Sequence, residues 1–375
     1  METAAVARAT PAPLERLLAR LGPWGYSLLA GILVALVASL VAAPALRPVG
    51  QIGELNAQLA ANPFGHEPNA MAARILTPLA SWLLGLRGDR LLVLIAACCV
   101  ILPAAVTRWG LASEFGAAGA LLAGAALGLT LVVRTSLHYG GYADVVTYLL
   151  IFLAWTRRAR PWQTSVLLLL ALLSHERALF LLPWLLWEMW RASRAEAPNA
   201  PNAPAAVARR RWIVLVGPAL AIVIWLAVRA AILSGREVEH TLGYYLRPLR
   251  ADPLAYVHLA WPRQALGFAS AFQWVWLLLP LSAGRLRRER GRAALLAIGL
   301  PLAGAACQML VAYDSSRLAT LAFPCLLPAL ESGLREKRPA FRRGLALILL
   351  AQALTPQVFT AARIVEVMPG WILPW

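Results

Sequence analysis

Apolar residues in this chain fall in runs too long for the one-sided stripe of a soluble helix. Leu28 to Val41, Gly116 to Val133 and Ile213 to Val228 contain no charged residue. A soluble helix interrupts its apolar face with polar positions every turn. A helix crossing the ~30 Å hydrocarbon core instead needs about 20 mostly apolar residues. The pattern therefore predicts an all-α integral membrane protein. Spanning segments are expected at 24–43, 91–107, 115–133, 137–156, 162–174, 178–190, 213–233, 263–283, 294–312, 317–333 and 344–360. These eleven crossings make one polytopic membrane domain over residues 1–375. Its non-spanning parts are a cytoplasmic N-terminal segment (1–23), a long outer loop (44–90) and a flexible cytoplasmic loop (191–212). The last repeats Pro-Asn-Ala between Glu196 and Ala208 and reads as low-complexity linker.

Charge fixes the orientation of these segments. The net charge of +17 comes from 35 Lys and Arg against 18 acids. In a soluble chain such a balance would point to nucleic acid. Here the cations sit between apolar runs instead: Arg157, Arg158 and Arg160; Arg191, Arg194 and Arg209 to Arg211; Arg285 to Arg292; and Arg335 to Arg343. Short cytoplasmic loops collect Lys and Arg, so these clusters mark the inner face and exclude a nucleic-acid partner. Trp24, Trp109, Trp155, Trp162, Trp190 and Trp212 fall at the same helix ends, where indoles favour the interface. The expected orientation is N-terminus cytoplasmic and C-terminus outside, in a bacterial-type inner membrane.

That orientation also decides two ambiguous stretches. Residues 75–86 are apolar but reach only about 18 Å as a helix, and counting them as a crossing would turn every later arginine cluster outward. They are expected as a re-entrant or interfacial helix. Residues 162–190 could be one long helix, but that too inverts the clusters. Two short helices joined by Ser174-His175-Glu176-Arg177 are expected instead.

The orientation gathers all five histidines, His66, His138, His175, His240 and His258, on the outer face. The four cysteines lie inside apolar runs, without metal-ligand spacing or a disulfide framework. In the loop 44–90, Glu54 is the first acid after the first helix, and Arg74 precedes the short apolar stretch. Arg134, His138 and Asp144 flank Gly140-Gly141, a pair that permits close backbone approach. His175, Glu176 and Arg177 form the turn between two helices of about 20 Å, so they lie below the outer surface or in a cavity open to it. Ionisable groups at such depth cost about 2.5–3.5 kcal/mol each, which leaves a functional site or a network tying helices. Arg317 follows Tyr313-Asp314-Ser315-Ser316 at a tight outer connection. The outer loop 234–262 adds arginines and tyrosines, with no single member singled out.

An acidic residue in the first outer loop, interfacial helices after it and short paired helices with a charged outer turn together resemble the GT-C superfamily of membrane glycosyltransferases, in a mannosyltransferase-like form. The resemblance covers roughly residues 20–330. The family's usual acidic pair is absent, since Gly53 and Leu55 flank Glu54. The resemblance implies a polyprenyl-phosphate sugar donor held among membrane lipids and transfer to an envelope glycan, lipid or protein acceptor. It implies Glu54 as the catalytic carboxylate and His175-Glu176 as the polar turn of the family; with Asp144, the next carboxylate on the same face, these make the expected catalytic set, and Arg74, Arg134, His138, Arg177 and Arg317 on that face are expected to bind substrate and phosphate. It leaves a divalent cation open as cofactor. The competing classes are a lipid-linked glycan transporter or flippase and an envelope polysaccharide polymerase or ligase. Sugar, acceptor and oligomeric state are not encoded in the pattern.

Overall fold

A computed structural model describes residues 13–65, 69–195, 203–234, 254–310 and 314–360, a short strand at 365–368, and the isolated positions 250, 252 and 312. His66, Glu67, Tyr313, the low-complexity stretch 196–202, loop residues 235–249 and the C-terminal end beyond 368 lie outside the described residues.

The described chain is overwhelmingly α-helical, as the apolar runs require. In order, the helices are α1 (Pro13–Val41), α2 (Gly50–Ala61), α3 (Leu76–Leu83), α4 (Leu91–Ala112), α5 (Gly116–Gly128), α6 (Leu131–His138), α7 (Asp144–Thr156) and α8 (Pro161–Ser174). They continue with α9 (Leu182–Ala195), α10 (Ala203–Leu233), α11 (Ala255–Phe272), α12 (Leu278–Arg290), α13 (Arg292–Met309), α14 (Ser315–Ala319), α15 (Leu326–Arg335) and α16 (Pro339–Leu354). Tight 3-10 stretches link α8 to α9 (Glu176–Leu181), α11 to α12 (Gln273–Leu277) and α14 to α15 (Thr320–Cys325). Proline at the first position of α8 and α16 suits helix starts, where no intrahelical donor is lost.

Among the described residues, five stretches are long and apolar enough to cross a membrane: Pro13–Val41, Gly88–Ala112, Trp212–Leu233, Trp261–Arg290 and Arg292–Met309. This is a multi-pass membrane protein. The expected span 115–133 differs in detail. It breaks after Gly128 into α5 and α6, bent by 53°, with Thr130 capping the second half by accepting from the Val132 amide. The expected span 344–360 also ends early. Its helix stops at Leu354, and Val358–Thr360 pairs antiparallel with Val365–Val367 as a small hairpin.

Between apolar helices in lipid there is little hydrophobic drive to associate, so close packing of small residues carries the contact. The Gly- and Ala-rich α5 shows this, wedged between α1 and α4. A side chain at Gly124 would collide with Pro103 and Thr107, and one at Gly128 with Val34. The arginine-bearing ends are laced by aromatic contacts. Arg108 lies over Trp24, Arg158 over Trp155 and Arg194 over Trp190. At that end Glu188 is buried, accepting from Arg191 at 2.8 Å and from the Trp155 indole at 3.3 Å.

Candidate functional site

At the other end of the bundle, α2, α3, α7, the α8 terminus and α14 converge. The convergence begins with three glycines. Segment 45–49 hydrogen-bonds to the end of α6, with Ala45 N donating to Leu137 O and Val49 N to Gly140 O, each at 2.9 Å. Gly141 has φ 93°, a region that favours glycine, and a Cβ there would sit 2.5 Å from the Gly53 Cα. A Cβ on Gly53 would in turn meet the Gly140 carbonyl. The bare backbones let α2 lie directly on the α6–α7 connection, and Asn56 Nδ2 clasps the Gly141 carbonyl at 2.9 Å.

That contact sets α2 beside a narrow, nearly filled cleft with only about 10 Å³ of free space, lined by Ile52, Asn56, Arg74, Thr77, Asp144, Ser174, His175 and Arg317 among others. Hydroxyls knit its floor. Ser174 Oγ bonds Thr147 of α7 at 2.9 Å and Thr77 of α3 at 3.3 Å. Because α8 ends at Ser174 and His175 is extended, the His175 side chain turns into the cleft instead of continuing around a helix.

The charges there form one network. Asp144 is buried at the first position of α7. Its Oδ2 accepts from Arg317 Nε at 2.7 Å, and its Oδ1 lies 3.5 Å from Arg177 Nη1 and 3.7 Å from His175 Nε2. Arg317 also donates to Asp314 at 2.5 Å and stacks over the Tyr142 ring, with its guanidinium carbon 4.3 Å from the centroid. Arg177 reaches Asp314 at 4.0 Å. Arg74 grips Glu176 with two donors, Nη2 to Oε1 at 2.7 Å and Nε to Oε2 at 3.1 Å. Each buried charge thus has an opposite charge beside it, as low-dielectric surroundings demand.

His175 is neutral in this setting. Burial pushes its pKa down to about 3, and the neighbouring Arg74 and Arg177 add to the effect against the pull of Glu176. Its Nδ1 accepts from the Arg177 amide at 3.3 Å, which places the ring hydrogen on Nε2, facing the cleft. Burial alone would raise the Glu176 carboxyl, but Arg74 and His175 outweigh it and hold the group well below the usual range.

The structure brings together six of the nine expected site residues: Asp144, His175, Glu176, Arg74, Arg177 and Arg317. Glu54 stands apart. It is exposed on α2, while Ile52 and Asn56 of the same helix face the cleft. Two positions along a helix turn about 200°, so Glu54 points away from them.

Arg134 is fully buried, and its one partner among the described residues is the Gln352 carbonyl at 3.1 Å. This places a cation at the C-terminal end of α16, where helix carbonyls lack partners. Gln352 returns the favour by donating to Leu129 O at the end of α5. His138 lies at the end of α6, bonded to the Ala43 carbonyl at 3.0 Å and within 4.0 Å of Glu366 on the C-terminal hairpin.

Asp314, Asn56, Thr77 and Tyr142 join the site without having been singled out in the sequence. Asp314 carried a signal, three positions before Arg317 in the same tight connection. Among the described residues no group of three His, Cys, Asp or Glu gathers with metal-binding geometry. The acids of the cleft are taken up by arginines, and the donor set does not fit a divalent cation. No protein-family model, curated protein or solved structure matches the chain.

Proposed function

We propose that the chain is a membrane glycosyltransferase that moves a sugar from a polyprenyl-phosphate donor to an envelope glycan, lipid or protein acceptor on the outer face. In this reading it is a single domain of eleven crossings in a bacterial-type inner membrane, with the N-terminus cytoplasmic and the C-terminus outside. The observation that supports it is the cleft itself: arginines and one buried carboxylate drawn from the segment just before α3, from α7 and α14, and from the α8–α9 turn, at the end of the bundle opposite the arginine clusters.

Arg74 and Arg317 hold the donor phosphate, for which a planar guanidinium offers paired donors. The acceptor hydroxyl attacks the anomeric carbon as the bond from that carbon to the phosphate oxygen breaks. The hydroxyl proton passes to Asp144, and the leaving phosphate retains the bond's electron pair beside the arginines. Asp144 begins salt-bridged to Arg317, which weakens it as a base. A phosphate that draws Arg317 toward itself frees the carboxylate when the proton must move. Purified protein in lipid with radiolabelled prenyl-phosphate sugars and an acceptor extract tests the reading. Transfer that is lost with Asp144→Asn supports it, and no transfer from a panel of donors overturns it.

A lipid-linked glycan transporter is the second reading. The bent pair α5–α6 favours it, since broken helices mark transporter binding sites. Lipid movement across liposomes without sugar transfer would select it.

A further inference from the structure

We propose that Glu176 is a built-in stand-in for a phosphate group. Its carboxylate occupies, on Arg74, the position that a substrate phosphate takes, and it must swing aside for that phosphate to bind. The inference rests on the cleft receiving a phosphorylated ligand, and it assigns Glu176 a gating role instead of a catalytic one.

Three observations carry it. The first is geometry. Arg74 presents Nε and Nη2 side by side to the two Glu176 oxygens, at 3.1 and 2.7 Å. This parallel fork is the arrangement by which guanidinium receives either a carboxylate or a phosphate. The second is a difference in hold between the two main carboxylates. Asp144 is 4% exposed, sits in a helix and is approached by Arg317, Arg177 and His175. Glu176 is 35% exposed and opens the short 3-10 stretch after an extended His175, so its side chain can leave Arg74 without unwinding α8 or α9. The third is an idle donor. His175 Nε2 is buried and faces the cleft, yet among the described residues it has no acceptor within hydrogen-bond distance, since Asp144 Oδ1 is 3.7 Å away. A phosphate oxygen entering between Arg74 and Arg317 would give that hydrogen an acceptor.

With Glu176 in place, the cleft is closed to anions by its own carboxylate. With Glu176 displaced, Arg74, Arg317 and the His175 N–H face one anionic group. Asp314, 24% exposed, is the second carboxylate able to yield, and its release would free the Arg317 Nη1 donor. The ligand chemistry is an anionic phosphate group. A free phosphate and a lipid-borne headgroup share it and are separated by the probes below.

The test is binding to the purified full-length protein in lipid nanodiscs, titrated with inorganic pyrophosphate and separately with a short-chain prenyl phosphate. Glu176→Gln should bind about fivefold tighter than the native protein, the worth of one partly exposed ion pair. Arg74→Gln should lose binding in either background. Glu176→Asp, which retains the charge but shortens the reach, serves as the second variant should the amide fail to fold, and should tighten binding by a smaller factor. Tightening for prenyl phosphate alone identifies a lipid headgroup, and tightening for both probes identifies the bare phosphate as the recognised group. Unchanged or weaker binding in whichever of the two variants folds overturns the proposal. Tightening without sugar transfer from any donor would overturn the transferase reading and leave the exchange standing. Transfer without tightening would do the reverse.

Discussion

Asp144 and Arg317 lie 173 positions apart and meet at 2.7 Å, with both side chains almost fully enclosed. The pair joins α7 to α14 and stands at the centre of the cleft, so it serves both architecture and chemistry. Removing one member of a buried pair leaves the other charge without compensation, which typically costs about 3–5 kcal/mol. Asp144→Asn should therefore lower the melting temperature markedly. The double variant Asp144→Asn with Arg317→Met should recover part of that loss by removing the orphaned cation. Thermal unfolding in a mild detergent measures both, and equal losses in single and double variants would show that the two charges are not coupled.

Acid should weaken the fold in two separable steps. The folded-state pKa of His175 is about 3, below its ordinary 6.5. Its neutral form is the one the fold accepts, so its contribution is complete above pH 6.5 and declines as the pH falls toward 3. The groups packed around it are Asp144, Glu176, Arg74 and Arg177. Glu176 is also held below its ordinary value, so its contribution is present above pH 4.5 and is lost beneath that. Stability of the native protein should thus begin to fall near pH 6.5. In His175→Gln the decline between pH 6.5 and 4.5 should shrink, leaving the Glu176 step below it. Melting curves across pH 4–8 check this, and an unaltered profile in the variant would place the upper step elsewhere.

Arg134 should behave as a structural cation. Its contact with the Gln352 carbonyl ties α6 to the end of α16, and hydrogen bonds to charged groups are worth about 1.5–3 kcal/mol. Arg134→Met should lower the melting temperature by several degrees, while pyrophosphate affinity per folded molecule stays native. A loss of affinity without a loss of stability would return Arg134 to the phosphate-binding set.

Much of the architecture was legible because it follows from run length. The apolar stretches on either side of His175 reach only about 20 Å each as helices, which sets a break at the charged turn, and α8 ends at Ser174. The close approach at Gly140-Gly141 was legible because only glycine lets two backbones touch. The bend between α5 and α6 was not legible, since the run from Gly116 to Val133 is uninterrupted in hydrophobicity and the break rests on a single Thr130 cap. The early end of α16 did carry a signal that the apolar count overrode: Thr355 precedes Pro356, and a residue before proline avoids the helical region. The partnership of Asp144 with Arg317 is a product of folding that no local pattern encodes.

Glu54 shows how a helix phase decides a site. The sequence favours it as the first acid of the outer loop, yet α2 turns it about 200° from Ile52 and Asn56, which face the cleft. Asp144 has the opposite placement, lining the cleft between two arginines and the His175 N–H. A general base commonly contributes about 10²–10⁴ in rate. Sugar transfer per folded molecule should therefore fall by that order in Asp144→Asn and stay near native in Glu54→Gln. The rates must be normalised to folded protein, because Asp144→Asn also removes a buried ion-pair partner. Donor binding measured alongside separates the roles. Asp144→Asn should still bind prenyl phosphate, since both phosphate-facing arginines remain and one is freed. A collapse of turnover in Glu54→Gln with donor binding intact would place the base on the outer surface of α2. The functional cleft would then have to form by a movement of α2 that turns Glu54 inward.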